Sequence, residues 1–156
     1  MTTSNLVSDK ERLRQLILTK AYFREKIILS SGKESDYYID ARLVTLLPEG
    51  AALIAKLMLE MVKNDKLDAI GGPTLGADPM IGAIGTIGFQ QGKSFTSFLI
   101  RKEAKAHGKK NLVEGPKLKE GARVVLIDDV ATTGKAFVES IEILSKMLCA
   151  CCAAFL

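Results

Sequence analysis

The chain has 156 residues, of which 47% are hydrophobic and 26% are charged. This composition fits one folded domain and excludes a disordered or collagen-like chain. No apolar run approaches the roughly 20 residues of a membrane-spanning helix, and the start lacks a signal-peptide pattern, so we expect a cytoplasmic protein. The net charge of +4 is mild, but five of the 22 Lys and Arg residues lie within 101–110. Such a cluster indicates a polyanionic ligand.

The first 45 residues are predicted to form an accessory segment beside the core. A capping-box pattern begins at Ser8, and the apolar residues that follow recur at helical spacing, which predicts a helix over 9–21. A β-type stretch over 26–29, a Ser-Ser-Gly turn and a second strand-like run over 37–40 come next.

From Pro48 onward, helices and strands alternate. Pro48 suits the first turn of a helix that continues over 51–62. The pattern then predicts strands at 68–72, 95–100, 123–127 and 151–156, and helices at 78–90 and 135–148. Residues 102–120, rich in Lys and Gly, are predicted to form a long loop. Because the strands are apolar on both faces, residues 46–156 are predicted to form an α/β core, a parallel sheet with helices on both sides.

The segment from Val124 to Ala136 carries the strongest functional signal. An apolar strand runs into Asp128 and Asp129, and a short loop with two threonines and a glycine leads into a helix. Ligands of open α/β sheets bind at the carboxyl ends of strands, and such a loop with its helix N-terminus can bind phosphate. Two carboxylates would repel a phosphate unless they serve other groups, so ribose hydroxyls and Mg²⁺ are their expected partners. The alternative is a strand end with solvated acids.

This segment resembles the phosphoribosyl pyrophosphate (PRPP) motif of type I phosphoribosyltransferases: an apolar strand, two acids and two apolar residues before Thr-Thr-Gly. The resemblance implies the type I phosphoribosyltransferase fold, a parallel sheet flanked by helices with a small N-terminal hood. It implies that the two acids hold the ribose hydroxyls and that the loop holds the 5′-phosphate. The residues assigned to PRPP in this segment are Asp128, Asp129, Val130, Ala131, Thr132, Thr133, Gly134, Lys135 and Ala136. Ala131 is smaller than the branched residue usual in the family.

Two further segments resemble the orotate phosphoribosyltransferases. Residues 101–108, followed by Glu114-Gly115, resemble the R-K-x-x-K-x-H-G loop of that family, and residues 31–40 resemble its S-G-x-x-S-x-Y-Y-x-D segment. Purine phosphoribosyltransferases share the PRPP loop but not these two segments. With 71–79 between them, the resemblance covers nearly the whole chain in the expected order.

The resemblance implies transfer of the phosphoribosyl group of PRPP to orotate, giving orotidine 5′-monophosphate and pyrophosphate in pyrimidine biosynthesis, with Mg²⁺ as cofactor. It assigns the departing pyrophosphate to Arg101, Lys102, Lys105 and His107, and catalysis to Arg101, Lys105, His107, Asp128 and Asp129. Cationic donors suit that role because charge develops on the leaving group. Residues 31–39 would form the hood over the base, with Tyr38, Ile39 and Thr132 against orotate. Since the 102–115 loop of this family reaches the neighbouring subunit's site, a homodimer is implied.

The chain departs from the family pattern at three places. Ser30 and Leu75 stand where some members carry Lys, which removes two possible phosphate contacts. The chain also stops at Leu156, whereas the family continues with an Asp-Arg pair that helps to hold the orotate carboxylate. If the protein ended there, we would expect weaker base binding, while PRPP binding could survive.

Several alternatives stay open. A PRPP-sensing regulator of the same fold would keep the phosphate loop without catalysis, although it would not need the basic loop. A phosphoribosyltransferase for another base is opposed by the N-terminal segment, whose tyrosines could also belong to a plain hairpin. The basic loop could be merely solvated, and His107, the only histidine, could be structural. Because no aromatic stacking platform accompanies the lysines, we expect no nucleic-acid partner, and no membrane partner either.

Overall fold

The computed structural model of the protein describes residues 3–28, 32–103, 111–147 and 150–155, with the backbone alone for 3–4 and 150–155. The first helix, α1, spans Thr3–Leu16 and continues as a π-helical turn, Ile17–Ala21. The predicted end at residue 21 is confirmed, but the predicted start at residue 9 is wrong. Leu6 lies one heptad before Leu13 on the face that also carries the buried Leu16. The apolar stripe therefore begins before the capping-box residues, and Ser8 lies inside the helix.

Two short antiparallel strand pairs follow α1. The strands are β1 (Tyr22–Phe23), β2 (Ile27–Ile28), β3 (Glu34–Ser35) and β4 (Tyr38–Ile39). β1 pairs with β4 and β2 pairs with β3. β2 and β4 lie within the predicted strand stretches, whereas β1 and β3 were not predicted. The Phe23 and Tyr38 rings stack with centroids 6.4 Å apart, which fixes the end of the hood against β1.

A short helix and a long helix connect this segment to the core. They are α2 (Arg42–Thr45), which was not predicted, and α3 (Pro48–Met61), whose first turn contains Pro48 as expected. Leu16, Ala21, Val44 and Leu53 form one buried cluster, which packs α1 and α2 against α3. Arg12 and Glu49 form an ion pair, 2.6 Å long, between α1 and α3. The N-terminal segment is thus attached to the core by packing.

The core is a five-stranded sheet in the order β7-β6-β5-β8-β9. Its strands are β5 (Ala69–Pro73), β6 (Thr96–Ile100), β7 (Val113–Glu114), β8 (Arg123–Ile127) and β9 (Ala150–Phe155). Four strands are parallel, and β7 pairs antiparallel with β6 at one edge. The predicted parallel sheet is confirmed for these four strands, whereas β7 lies within the stretch 102–120 that was predicted to be a long loop. A strand of two residues has no periodicity from which to predict it.

Helices cover both faces of the sheet, as the sequence predicted. The two remaining helices are α4 (Asp78–Gln90) and α5 (Lys135–Ser145). Val125 and Ile127 of β8 pack into the cluster formed with α3 and α4. Val124 and Leu126 point to the other face and pack with Phe137 and Leu144 of α5. Burial of β8 on both faces explains its continuous apolar sequence.

Candidate active site

The site lies at the point in the sheet where the chain stops adding strands on one side of β5 and begins to add them on the other side. After β5, in the centre of the sheet, the chain adds β6 on one side and then crosses to add β8 on the other side. In such sheets ligands bind at the carboxyl ends of the two strands that flank this switch point. β5 leads into Thr74–Gly76, and β8 leads into Asp128 and Asp129. A Cβ added at Gly72 would overlap the Ile127 carbonyl, so the two strand ends approach closely.

The two acids form the floor of the site. The backbone N–H of Asp129 donates to Asp128 Oδ1 at 3.0 Å. Burial raises the pKa of the Asp128 carboxyl to about 6, although the bond from Asp129 N–H opposes this rise, while the neighbouring Asp129 charge adds to it. A Cβ added at Gly76 would lie 2.7 Å from Asp129 Cγ and 3.1 Å from Asp128 Oδ1. A side chain at this position would therefore displace the carboxylates, and the turn after β5 lies directly against the acids.

The Thr-Thr-Gly loop leads into the N-terminus of α5. Gly134 has a φ of +73°, a left-handed conformation that favours glycine, and α5 begins at the next residue. The backbone N–H of Lys135 donates to Thr133 Oγ1 at 3.3 Å. The Lys135 side chain lies along the helix surface, 3.6 Å from Glu139. The positive end of the α5 dipole thus faces the same side of the sheet as the acids, which favours a bound anion.

A cleft of about 510 Å³ joins the acids to the N-terminal segment. It is lined by Tyr38, Ile39, Asp40, Ala41, Arg42, Pro73, Thr74, Leu75, Gly76, Lys102, Asp128, Asp129, Val130, Thr132 and Ala136. Tyr38 and Ile39, which the family resemblance assigned to the base, therefore line the same space as the acids. The lining does not include Ala131, Thr133 and Gly134 of the adjoining loop, nor Lys135 at the start of α5. The volume suits a small-molecule ligand.

The start of the basic loop borders the cleft. Lys102 lines it, and its positive charge lowers the pKa of Asp128 slightly, against the larger effect of burial. Arg101 lines an adjoining hollow of about 610 Å³. Its Nε donates to the Glu103 carbonyl at 3.3 Å, and its guanidinium lies 3.8 Å from Glu114. Lys105 and His107 lie outside the described residues.

The structure adds cleft residues to which the sequence gave no role. Arg42 lines the cleft, and its Nε and Nη2 donate to the two Asp40 oxygens at 3.0 and 3.3 Å. This hydrogen bonding with Asp40 raises the pKa of Arg42, and the Tyr38 side chain adds a smaller effect in the same direction. The available signal in the sequence was an acidic and a basic residue, Asp40 and Arg42, two positions apart after a strand-like run. Such pairs are common on protein surfaces and do not indicate a binding site.

Comparisons with known proteins agree with this geometry. No protein-family model matches the chain. The chain is 43% identical over 142 residues to an orotate phosphoribosyltransferase of Synechocystis sp., a match that covers 91% of this chain and 71% of the relative. It is 42% identical over 130 residues to one of Streptomyces coelicolor, with 83% and 71% covered.

Solved structures give the same result. Orotate phosphoribosyltransferase of Mycobacterium tuberculosis in complex with PRPP matches with a TM-score of 0.74 and 31% identity, covering 94% of this chain and 80% of that chain. An adenine phosphoribosyltransferase of Thermoanaerobacter pseudethanolicus matches with a TM-score of 0.62 over 91% of this chain and 84% of that one, and its 15% identity shows a shared fold alone. The identity and coverage of the relatives show that the chain belongs to the orotate phosphoribosyltransferase family.

Proposed function

We propose that the cleft transfers the 5-phosphoribosyl group of PRPP to orotate, giving orotidine 5′-monophosphate and pyrophosphate in pyrimidine biosynthesis. The observation that carries this function is one cleft that contains both the acids of the PRPP motif and the hood residues Tyr38 and Ile39. The chain is an enzyme of the pentosyltransferase class. Its relatives are named as orotate phosphoribosyltransferases, which favours catalysis over the PRPP-sensing regulator.

The reaction exchanges one bond at the anomeric carbon of the ribose. The bond from this carbon to the pyrophosphate oxygen breaks, and the electron pair leaves with pyrophosphate. A ring nitrogen of orotate gives up its proton and forms the new bond to the same carbon. Because positive charge develops on the sugar while negative charge collects on the leaving group, the site must stabilise both and exclude water.

The acids and the loop have separate parts in holding PRPP. Ionised Asp128 and Asp129 would accept hydrogen bonds from the two ribose hydroxyls, which fixes the sugar at the switch point. The Thr132 hydroxyl, together with the N–H groups at the start of α5, would bind the 5′-phosphate. With both ends of the sugar fixed, the anomeric carbon faces the hood, where the base would enter.

Mg²⁺ is the proposed cofactor, and the donor set of the cleft fits it. Within the described residues, no group of three or more His, Cys, Asp or Glu side chains could hold a metal ion. Mg²⁺ commonly takes one or two carboxylates and completes its coordination with water and substrate oxygens. It would be held through PRPP, with Asp128 and Asp129 nearby. When bound, it would neutralise negative charge on the pyrophosphate.

The remaining proposals concern the basic loop and the assembly. Arg101, Lys102, Lys105 and His107 would stabilise the departing pyrophosphate, with the 102–115 loop supplied by the partner subunit of a homodimer. The family resemblance supports this arrangement. The position of Lys102 at the cleft of its own chain supports the pyrophosphate role alone. None of the helices in the described part of the chain has the length and apolar character needed to cross a membrane. A cytoplasmic location stays a prediction.

The test is the absorbance change that accompanies the consumption of orotate, measured with PRPP and Mg²⁺ present and with each omitted in turn. Consumption that requires both would establish the reaction and the cofactor requirement. If PRPP binds but orotate is not consumed, the regulator becomes the better description. Consumption without Mg²⁺, in the presence of a chelator, would refute the cofactor alone.

A further inference from the structure

The cleft has two walls of different chemistry. One wall carries Asp128, Asp129 and Thr132, which suit hydroxyls and a phosphate. The other carries Tyr38, Ile39 and Arg42, an aromatic ring, a branched aliphatic chain and a guanidinium. A flat heteroaromatic ring can pack against the first two of these, and a carboxylate on that ring would match the third. The second wall is therefore complementary to a planar aromatic anion.

Arg42 is held in a fixed orientation and remains accessible to a ligand. Both Asp40 oxygens accept hydrogen bonds from its guanidinium, and the Arg42 backbone N–H donates to Asp40 Oδ1 at 3.2 Å. The Asp40 side chain is only 23% exposed, whereas that of Arg42 is 52% exposed. A guanidinium carries five N–H donors, of which the Asp40 pairing uses two. The planar fork is thus oriented before a ligand arrives.

The charges of the cleft determine where a carboxylate can lie. Asp128 and Asp129 repel it from the first wall. Among the described lining residues, the cations are Arg42 and Lys102, and the charge of Lys102 acts on Asp128. Arg42 belongs to the wall that carries Tyr38, and its guanidinium pairs with Asp40, the residue that follows β4. It is therefore the described cation best placed for a carboxylate that points away from the acids.

We propose that Arg42 is a specificity-determining residue that binds the carboxylate of orotate, with Asp40 as the residue that positions its guanidinium. This inference rests on the proposed function. Pyrophosphate is the other anion in the reaction, but it has no ring to pack against Tyr38 and Ile39.

Two nucleotides that differ only in the carboxylate test the proposal without turnover. Calorimetry compares the dissociation constants of orotidine 5′-monophosphate and uridine 5′-monophosphate for wild-type protein and Arg42→Ala. We expect the variant to bind the orotidine nucleotide roughly ten- to hundredfold more weakly, as for the loss of a charge-assisted hydrogen-bond pair. The affinity for the uridine nucleotide should change by less than about twofold. Arg42→Lys, which keeps the charge but not the fork, should give an intermediate loss.

Arg14→Ala is a matched control. Arg14 is 57% exposed and forms the same two-bond pairing, at 2.9 and 2.8 Å, with Glu11 on α1, outside the cleft. Neither nucleotide's affinity should change in this variant. Equal losses of both nucleotides in Arg42→Ala would overturn the proposal, as would no preference for the orotidine nucleotide in wild-type protein. Weaker PRPP binding with unchanged orotidine nucleotide binding would assign Arg42 to pyrophosphate instead.

Two further outcomes are separable. If Arg42→Ala fails to fold, as judged by thermal unfolding, Arg42→Lys becomes the test, and a folded lysine variant with full preference for the orotidine nucleotide would overturn the proposal. Wild-type protein that consumes no orotate with PRPP and Mg²⁺ would refute the proposed function. The nucleotide comparison needs no turnover, so the two failures can be told apart.

Discussion

Asp128 shows how a single carboxylate can serve the ligand at the expense of the fold. Burial at the end of β8 removes part of its hydration and raises its pKa to about 6, whereas the ordinary value is 3.8. The folded state therefore binds this proton more tightly than the unfolded chain does. The resulting stabilisation is present at low pH and is lost as the pH rises toward 6, so at neutral pH the ionised Asp128 destabilises the fold.

We therefore predict opposite effects of Asp128→Asn on stability and on binding. At pH 7.5 the variant should unfold at a higher temperature than wild-type protein, and this gain should shrink as the pH falls through 6 toward 4. It should also bind PRPP with Mg²⁺ roughly tenfold or more weakly, because an uncharged amide is a poorer acceptor for the ribose hydroxyls. Thermal unfolding and calorimetry across this pH range measure both effects.

The control for Asp128→Asn must allow for the ligand, since phosphate groups also titrate near pH 6. The difference between wild-type protein and variant at each pH removes that contribution. Asp65→Asn, in the exposed turn after α3 and outside the cleft lining, should change neither quantity. Unchanged PRPP affinity in both Asp128→Asn and Asp129→Asn would remove the ribose role of the acids.

Residues were predictable from the sequence where one contiguous motif carries the site. Asp128, Asp129 and Thr132 follow a buried strand in the order that a phosphate site requires, and the structure places all three on one cleft. Arg42 and Gly76 gave no such signal, because their position depends on segments far apart in the sequence. Gly76 lies against Asp129 through the packing of β5 beside β8, which local patterns do not encode.

At the level of elements, the start of α5 depends on one residue in a left-handed conformation. Gly134 has a φ of +73°, with open space where a Cβ would stand. A side chain there meets no neighbour, so the cost of adding one comes from the backbone conformation alone. Relief of this strain would move the loop and the first N–H groups of α5, which are the proposed partners of the 5′-phosphate.

A comparison of Gly134→Ala with Gly92→Ala separates the effect of backbone strain on stability from the effect on PRPP binding. Gly92 follows α4, has a φ of +74° and also has open space around its missing Cβ. Since α4 starts beside the cleft, Gly92 lies about 20 Å away, at 1.5 Å per helical residue. Each variant should lose about 1 kcal/mol of unfolding free energy, measured with denaturant. Only Gly134→Ala should weaken PRPP binding in calorimetry, and equal PRPP affinity in the two variants would contradict the role of this loop.

Elements were predictable in proportion to their length. The predicted bounds of α4 and β8 agree with the structure. The helical spacing of apolar residues extends over the whole of α4, and a continuous apolar run extends over β8. The four strands before residue 40 contain two residues each and are defined by their pairing partners. The capping-box signal of α1 was overridden by packing, as the earlier start of its apolar face shows.

For the whole molecule, an α/β sheet with both faces covered was predictable, since alternating elements and doubly buried strands allow few other arrangements. The antiparallel edge strand β7 was not, and it matters for function. β7 follows the undescribed stretch 104–110 and pairs with β6. The described residues on either side of this stretch lie at the end of β6, beside the cleft, and at the start of β7, on the edge of the sheet. Whether the basic loop serves its own cleft or the partner's is a question for experiment.

Complementation between two inactive variants tests the shared loop. Lys105→Ala should lose turnover far more than PRPP affinity, and Asp128→Asn should bind PRPP more weakly, so each variant alone is expected to have low activity when PRPP is kept well below saturation. If the loop acts on the partner's site, a mixed dimer has one site with an intact acid pair and an intact loop. Random assembly of equal amounts makes half of the dimers mixed, each with one complete site of two, so about a quarter of wild-type activity should return. Coexpression followed by the orotate assay measures this recovery.

Lys105→Ala mixed with His107→Ala is the control, since both changes lie in the same loop and no mixed site is complete. Recovery in neither mixture would show that each loop serves its own subunit or that the chain is a monomer, which light scattering would distinguish.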